Sequence, residues 1–297
     1  MGTKLQNNIA ITIIRVIAAL VVLILVLLLG KILIAGVPHI SWHFLTAPSQ
    51  SFESGGGIGG VQLFNSIYLL VLTLIISFPI SLGAGIFLSE YAPKNFFTAV
   101  VRMSIEVLSS LPSVVVGLFG FLLFVVQFQM GFSILSGAVA LTFFNLPLLT
   151  RNIEESLRAV PNLQREAGMA LGLSKWRTVT KIILPEALPG IITGVVLGAG
   201  RVFGEAAALI YTAGQSATNI DFGNWNPFNS ASPPLNLLRP AETLAVHIWK
   251  INSEGVMPDA AAVSAGSSAV LIIAVLIFNL LARVLGNSLY RKLTATK

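Results

Sequence analysis

Between residues 9 and 37 the chain is apolar except at Thr12, Arg15, Gly30, Lys31 and Gly36. That run is far longer than the roughly 7–15-residue apolar segment of a secretory signal, and no small-x-small cleavage site closes it, so a retained membrane-spanning helix is expected. The pattern repeats downstream. Only 10% of the residues are charged, against about 25% in a soluble domain, too few to clothe a water-facing surface. A helix of about 20 apolar residues crosses a bilayer with its backbone bonded internally. Six such spans are expected, at residues 13–34, 63–88, 98–126, 134–149, 189–213 and 267–285. The fold class is therefore all-α integral membrane with six transmembrane helices.

Several spans carry polar or helix-breaking residues. Pro79 is expected to kink the second. The third holds Arg102 and Glu106 one turn apart and is broken by Leu111-Pro112-Ser113; the fifth holds Arg201 and Glu205. Basic residues gather on one set of flanks (Lys4, Arg15, Lys94, Arg102, the central stretch 151–186, Arg283, Arg291, Lys292 and Lys297), while the opposite set has Lys31, Arg239 and Lys250. By the positive-inside rule both termini and the central stretch are cytoplasmic, and residues 35–60 and 214–266 face outward. The formal charge of +6 thus sets topology, and no nucleic acid partner is expected. Cysteine is absent, which excludes disulfides and thiolate metal sites. His39, His43 and His247 are too scattered, with too few acidic neighbours, to argue for a metal. The glycines at 55–57, 59 and 60 precede a span rather than a Lys-Ser/Thr pair, so they are read as a flexible lead-in and not as a phosphate cradle. Arg239, Glu242 and Lys250 of the outer segment are open to two readings, a solvated face or a contact with a partner protein.

Residues 166–185, EAGMALGLSKWRTVTKIILP, form a charged island in this apolar chain. Pro161 suits the first turn of a helix, Gly172 a turn, and Ser174 the start of a second helix. Pro185 and Pro189 are expected to end this amphipathic segment before the fifth span. The result is a short helix-turn-helix at the cytoplasmic surface, with small residues that allow a close approach.

Glu166-Ala167-Gly168, Gly172, Ile182, Leu184 and Pro185 follow the spacing of the EAA loop in permease subunits of binding-protein-dependent ABC importers, and the segment resembles that loop. Gly168 departs from the usual alanine. Residues 106–117 and 200–207 resemble the third-span and fifth-span signatures of phosphate importer permeases, and residues 226–255 resemble the outer loop of the PstA-type subunit. The resemblance implies a type I ABC importer permease fold with a cytoplasmic coupling helix at residues 166–173, formed by Glu166, Ala167, Gly168, Ala170, Leu171, Gly172 and Leu173. It implies residues 1–60 as tail, first helix and outer linker, 61–290 as the importer domain with its EAA loop at 155–185, and 291–297 as a tail. It further implies import of phosphate in a bacterial or archaeal cytoplasmic membrane, with a homologous PstC-type permease, two ATP-binding subunits and an extracytoplasmic phosphate-binding protein as partners. The chain has no Walker motif, so no cofactor and no catalysis are expected of it; ATP and Mg belong to the partner subunits.

A charge inside a span needs a partner or a polar cavity. Arg201 and Glu205 share a helix face at four-residue spacing, so they either neutralise one another or line the translocation path. Arg102 and Glu106 form a second such pair, nearer the cytoplasm, read as a bridge or as further path candidates. A permease of the same class for sulfate, molybdate or an amino acid, or a stand-alone secondary transporter, remain as alternatives.

Overall fold

The computed structural model describes residues 2–49, 54–216, 220–226, 233–255 and 257–294. Among them are five helices long and apolar enough to cross a membrane, and one bent pair that makes a sixth span if counted as one. The chain starts with α1 (Gly2–Gly36), which is exposed along its length and packs chiefly on the last helix, α12 (Ala260–Thr294). After α2 (Trp42–Thr46), α3 (Val61–Ile86) continues past Pro79 as one helix and ends in a wide turn at Phe87–Tyr91.

The third span is α4 (Phe96–Ser109) followed by α5 (Ser113–Gly120), and the chain continues in wide turns through Phe121–Gln127. The two halves are bent by 97°. Pro112 has no N–H for the last turn of α4 and keeps its predecessor out of helical geometry, so the chain must turn there. α5 then lies on α10 (Ala207–Thr212), where a Cβ on Gly117 would come within 2.7 Å of Ala208 Cα.

Two helices run past their expected ends. α6 (Ile134–Arg158), capped by Ser133 on the Ser136 N–H, continues beyond residue 149 and lifts Arg151, Glu154, Glu155 and Arg158 on a regular helix. Downstream of α7 (Asn162–Ala170) and α8 (Lys175–Thr178), Pro185 and Pro189 do not stop the chain: α8 leads without a gap through Val179–Ile183 into α9 (Leu184–Phe203). The Leu184 N–H reaches back to Val179 O, five residues away, and this widened turn takes up the missing donor of Pro185. The fifth span breaks instead at residues 204–206, before α10.

α6 and α9 form the centre. A glycine recurs every four residues on one face of α9, and each meets a side chain of α6: Gly190 faces Ser156, Gly194 faces Asn152 and Gly198 faces Asn145 and Leu149. With no hydrophobic gain from leaving lipid, such small-residue contacts are what let spanning helices approach closely. Ile153 and Leu157 of α6 continue the contact against Ile183, Ala187 and Ile191.

The described parts of residues 35–60 and 214–266 are packed rather than loose. The glycine lead-in is not a flexible linker: Gly57 lies against the Phe44 carbonyl, the Ile58 N–H donates to the same oxygen at 3.0 Å, and Ile58 is fully buried. Arg239 and Glu242 are neither a solvated face nor a docking surface, because both are buried. The Arg239 guanidinium donates to Asn65 Oδ1 at 2.8 Å and Pro234 O at 3.0 Å, and burial pushes it down to about 10. Glu242 opens the segment before α11 (Leu244–Glu254) and accepts from Gln62 at 2.9 Å. Burial works against its charge. The His247 ring 3.4 Å from Oε2, the Gln62 amide and the Lys250 ammonium 3.6 Å from Oε1 together outweigh burial and hold the carboxyl below the usual carboxylate range. The acidic neighbour that the sequence hid from His247 is thus supplied by the fold.

Because the folded-state value of Glu242 is depressed, its contribution to stability is present above the unfolded value and is lost as pH falls through the folded one. The thermal midpoint of the purified protein should therefore fall on acidification below about pH 4.5. Glu242→Gln should be less stable at neutral pH and lose less on acidification; an unchanged acid slope in thermal-shift measurements would contradict the assignment.

Candidate functional site

The segment singled out by its charge folds as a helix, a turn and a second helix, but the first helix spans Asn162–Ala170 rather than residues 166–173, and Leu171, Gly172 and Leu173 lie in the turn. Pro161 stands just before α7 rather than inside its first turn, and Gly172 ends it with φ +75°, a left-handed conformation that a glycine takes without strain. The Leu173 N–H reaches Gly168 O at 3.2 Å and the Gly172 N–H reaches Met169 O at 3.0 Å, closing the helix end. Ser174 Oγ then caps α8 by accepting from the Arg177 N–H. Glu166, Ala167, Ala170, Leu171 and Gly172 face outward and Leu173 is half-buried. Gly168 points inward, where a Cβ would come within 2.7 Å of Thr178 Cγ2 and 2.9 Å of Ile182 Cδ1. The departure from alanine is therefore a packing requirement: α7 folds back on the helix that follows it. Leu163 and Leu171 are 74% and 80% exposed.

Arg201 and Glu205 do not pair. The Arg201 Cζ sits 3.7 Å from the centroid of the Phe144 ring of α6, and among the described residues no carboxylate lies within ion-pairing distance of it. Glu205 is buried at the helix break, where its Oε1 accepts from the Ala208 N–H at 3.1 Å and so caps α10. Gly190, Thr193, Gly194, Leu197 and Arg201, spaced three or four residues apart except for the adjacent pair Thr193-Gly194, share a face of α9. The first four line a groove of about 460 Å³ with Asn152, Glu155 and Ser156 of α6, and Arg201 stands one turn beyond its end.

Residues 81–295 match the model of the family described as binding-protein-dependent transport system inner membrane component. The chain belongs to that family. Over 295 residues this permease is 50% identical to the Bacillus subtilis (strain 168) "Probable ABC transporter permease protein YqgI", spanning 99% of this chain and 100% of that one. It is 37% identical over 178 residues to the phosphate transport system permease protein PstA of Xylella fastidiosa (strain Temecula1), spanning 60% of this chain and 62% of that protein. Its fold aligns with the crystal structure of a bacterial ABC transporter involved in the import of the acidic polysaccharide alginate, with a TM-score of 0.59 at 15% identity, over 97% of this chain and 99% of that one. The all-α, multi-span importer permease fold expected from the sequence is the one observed. The protein is a permease subunit of a binding-protein-dependent ABC importer.

The remaining charged pair of the permease is redistributed between helices. Arg102 does not bond Glu106; its Nε donates to Glu154 Oε1 at 2.8 Å and its Nη2 to Leu88 O, while Glu106 is exposed and only grazes Arg151 at 3.5 Å. Glu154, buried, also takes Arg158 of its own helix at 2.9 Å, so the carboxylate ties α4 to α6 while Arg102 reaches the wide turn after α3. Arg165 performs a similar task for α7. It pairs with Glu90 at 2.8 Å and donates to the Leu157 and Val160 carbonyls. Neither Glu154, Arg165 nor Phe144 stood out in the sequence, since each acts on a residue far away in the chain. Removing one partner of a buried pair costs roughly 3–5 kcal/mol, and the half-exposed arginines moderate that. Glu154→Gln is expected to lower stability by about 2 kcal/mol in denaturation of the purified permease, whereas Glu106→Gln stays within about 0.5 kcal/mol; equal effects would contradict the division of roles.

Proposed function

We propose that this chain is the PstA-type permease of a phosphate importer, forming the translocation path with a homologous PstC-type permease. The observation that carries the reading is Arg201: a spanning-helix cation held by an aromatic ring, with no carboxylate in ion-pairing contact and Glu205 acting on it only through space, one turn beyond the end of a polar groove. A carboxylate about 4 Å away would offset about 4 kcal/mol of its attraction for an anion at an effective dielectric of about 20. The ring of Phe144 carries no net charge; it holds the guanidinium by a cation–π contact of about 0.5–2 kcal/mol and leaves the charge in place. A guanidinium in that state matches the oxygens of a tetrahedral oxyanion. The relatives named as phosphate transport permeases support phosphate over other oxyanions.

In this reading both termini and α7 are cytoplasmic, and α7 enters a cleft of an ATP-binding subunit through Glu166, Ala167, Ala170 and Leu171. Gly168 and Gly172 shape the helix from behind and at its end, and Leu173 seats it. Closure of the two ATP-binding subunits on ATP and Mg moves α7. The continuous rod of α8 and α9 carries that motion to Arg201, because no break intervenes between Lys175 and Phe203. The cavity then opens outward to a phosphate-binding protein, and hydrolysis in the partner subunits returns it inward. Arg102, through Glu154, serves as the cytoplasmic bridgework of this movement rather than as a contact for substrate, and Glu106 has no part in it.

The test is ATP-dependent uptake of labelled phosphate into proteoliposomes holding the whole complex and its binding protein, with sulfate and molybdate as competitors. Phosphate uptake that resists both competitors and falls at least ten-fold in an assembled Arg201→Gln complex is expected. Transport of a different solute would overturn the phosphate assignment, and unchanged phosphate uptake in Arg201→Gln would overturn the role of Arg201.

A further inference from the structure

Behind α7 lies a cavity of about 500 Å³ that the transport path does not use. Its walls come from three separated pieces of chain: Glu90 and Lys94 after α3, Arg158 at the end of α6, and Arg165 and Lys175 of the docking segment. Four cations thus face one carboxylate. The two arginines are committed, Arg165 to Glu90 at 2.8 Å and Arg158 to Glu154 at 2.9 Å. The two lysines are not: among the described residues neither has a carboxylate within ion-pairing distance, and the Lys175 ammonium rests 4.8 Å over the Tyr91 ring. Lys94 belongs to the body of the protein and Lys175 to the docking segment, so an anion between them would join the two.

A second observation places this cavity relative to the bilayer. Immediately beside Lys94, Phe96 and Phe97 are 85% and 74% exposed, and Trp176, next to Lys175, is 58% exposed. An exposed tryptophan beside a lysine at the end of a spanning helix, as Trp176 is beside Lys175, marks the headgroup level of a membrane, and the exposed phenylalanines Phe96 and Phe97 add apolar surface that lipid would cover. Basic pockets between spanning helices on that side take anionic headgroups.

We propose that this cavity is a binding site for a phosphate-class oxyanion, bridging Lys94 and Lys175 and steadying α7 against the body of the permease. The oxyanion is supplied either by an anionic lipid headgroup of the adjoining leaflet or by free phosphate. The site differs from the translocation path, and the proposal uses the docking role of α7 only for its consequence, not for the binding itself.

The experiment is amine footprinting. The complete complex is placed in nanodiscs of phosphatidylcholine alone, of phosphatidylcholine with phosphatidylglycerol, or of phosphatidylcholine with inorganic phosphate in the buffer. The acetylation rates of Lys94 and Lys175 are then read by mass spectrometry, with the outer Lys250 as internal reference. The expected result is fast acetylation of both lysines in phosphatidylcholine and about ten-fold slower acetylation with one of the two anions, the protecting anion identifying the source. A charged lysine near such a surface is worth about 1 kcal/mol, or about five-fold, so Lys94→Gln should relax the protection of Lys175 by about five-fold. Rates unaffected by either anion would overturn the proposal. So would lysines already protected in phosphatidylcholine alone, which would show the cavity covered by the ATP-binding subunit. Nanodiscs expose both faces, so the outcome does not depend on whether Arg201 handles substrate; uptake by the Arg201→Gln complex decides that separately.

Discussion

The contact between α6 and α9 determines where everything else lies. Three glycines at four-residue steps allow the two helices to approach until Gly198 touches the Asn145 amide and Gly194 the Asn152 side chain. That closeness sets Phe144 under Arg201 on one side and stacks Ile153 and Leu157 on Ile183 and Ala187 toward the docking segment. α3 closes a second flank, with Gly85 against Ile153, and α12 a third, with Gly286 against Ile192. Each of these approaches needs a residue without a side chain, because in a membrane the helices gain nothing from hiding apolar surface and must gain from fit.

The structure sorts its charges by task. Those that hold elements together are paired and largely covered: Glu154 with Arg102 and Arg158, Glu90 with Arg165, and Glu242 with Gln62, His247 and Lys250. Arg201, inside a spanning helix, is held by a ring instead, and Glu205, its expected partner, caps the helix that resumes after the break. Holding a cation without neutralising it is the requirement for a transient anion contact, which has to be attractive enough to enter and weak enough to leave. The proposed role of α7 follows the same economy: its anchors, Arg165 and Gly168, point inward, which leaves Glu166, Ala167, Ala170 and Leu171 on the surface.

What was legible in the sequence is what depends on neighbours along the chain. Apolar length gave the spans, Pro112 the break between α4 and α5, and Gly172 with Ser174 the turn between α7 and α8, since turns and caps are decided within a few residues. The spacing of residues 166–185 carried the family resemblance for the same reason. Contacts between distant segments were not legible. Four-residue spacing suggested Arg102 with Glu106 and Arg201 with Glu205, yet each arginine is met by α6, through Glu154 and Phe144. Nothing local distinguishes Phe144 from the other phenylalanines of the chain. Pro185 misled because a widened turn absorbs its missing donor. Residues 214–266 misled because polar composition looks like solvent exposure, whereas Arg239 and Glu242 are buried against Gln62 and Asn65 of α3.

The central claim is that a neutral ring holds Arg201 available for an anion. Its most direct test replaces Phe144 in the assembled complex with phenylalanines bearing one, two and three ring fluorines, which withdraw electrons from the ring face and change its size little. The KM for phosphate in ATP-driven uptake should rise in step with each fluorine, while complex assembly and the thermal midpoint stay constant. A KM indifferent to fluorination, in complexes that assemble and transport normally, would contradict the account.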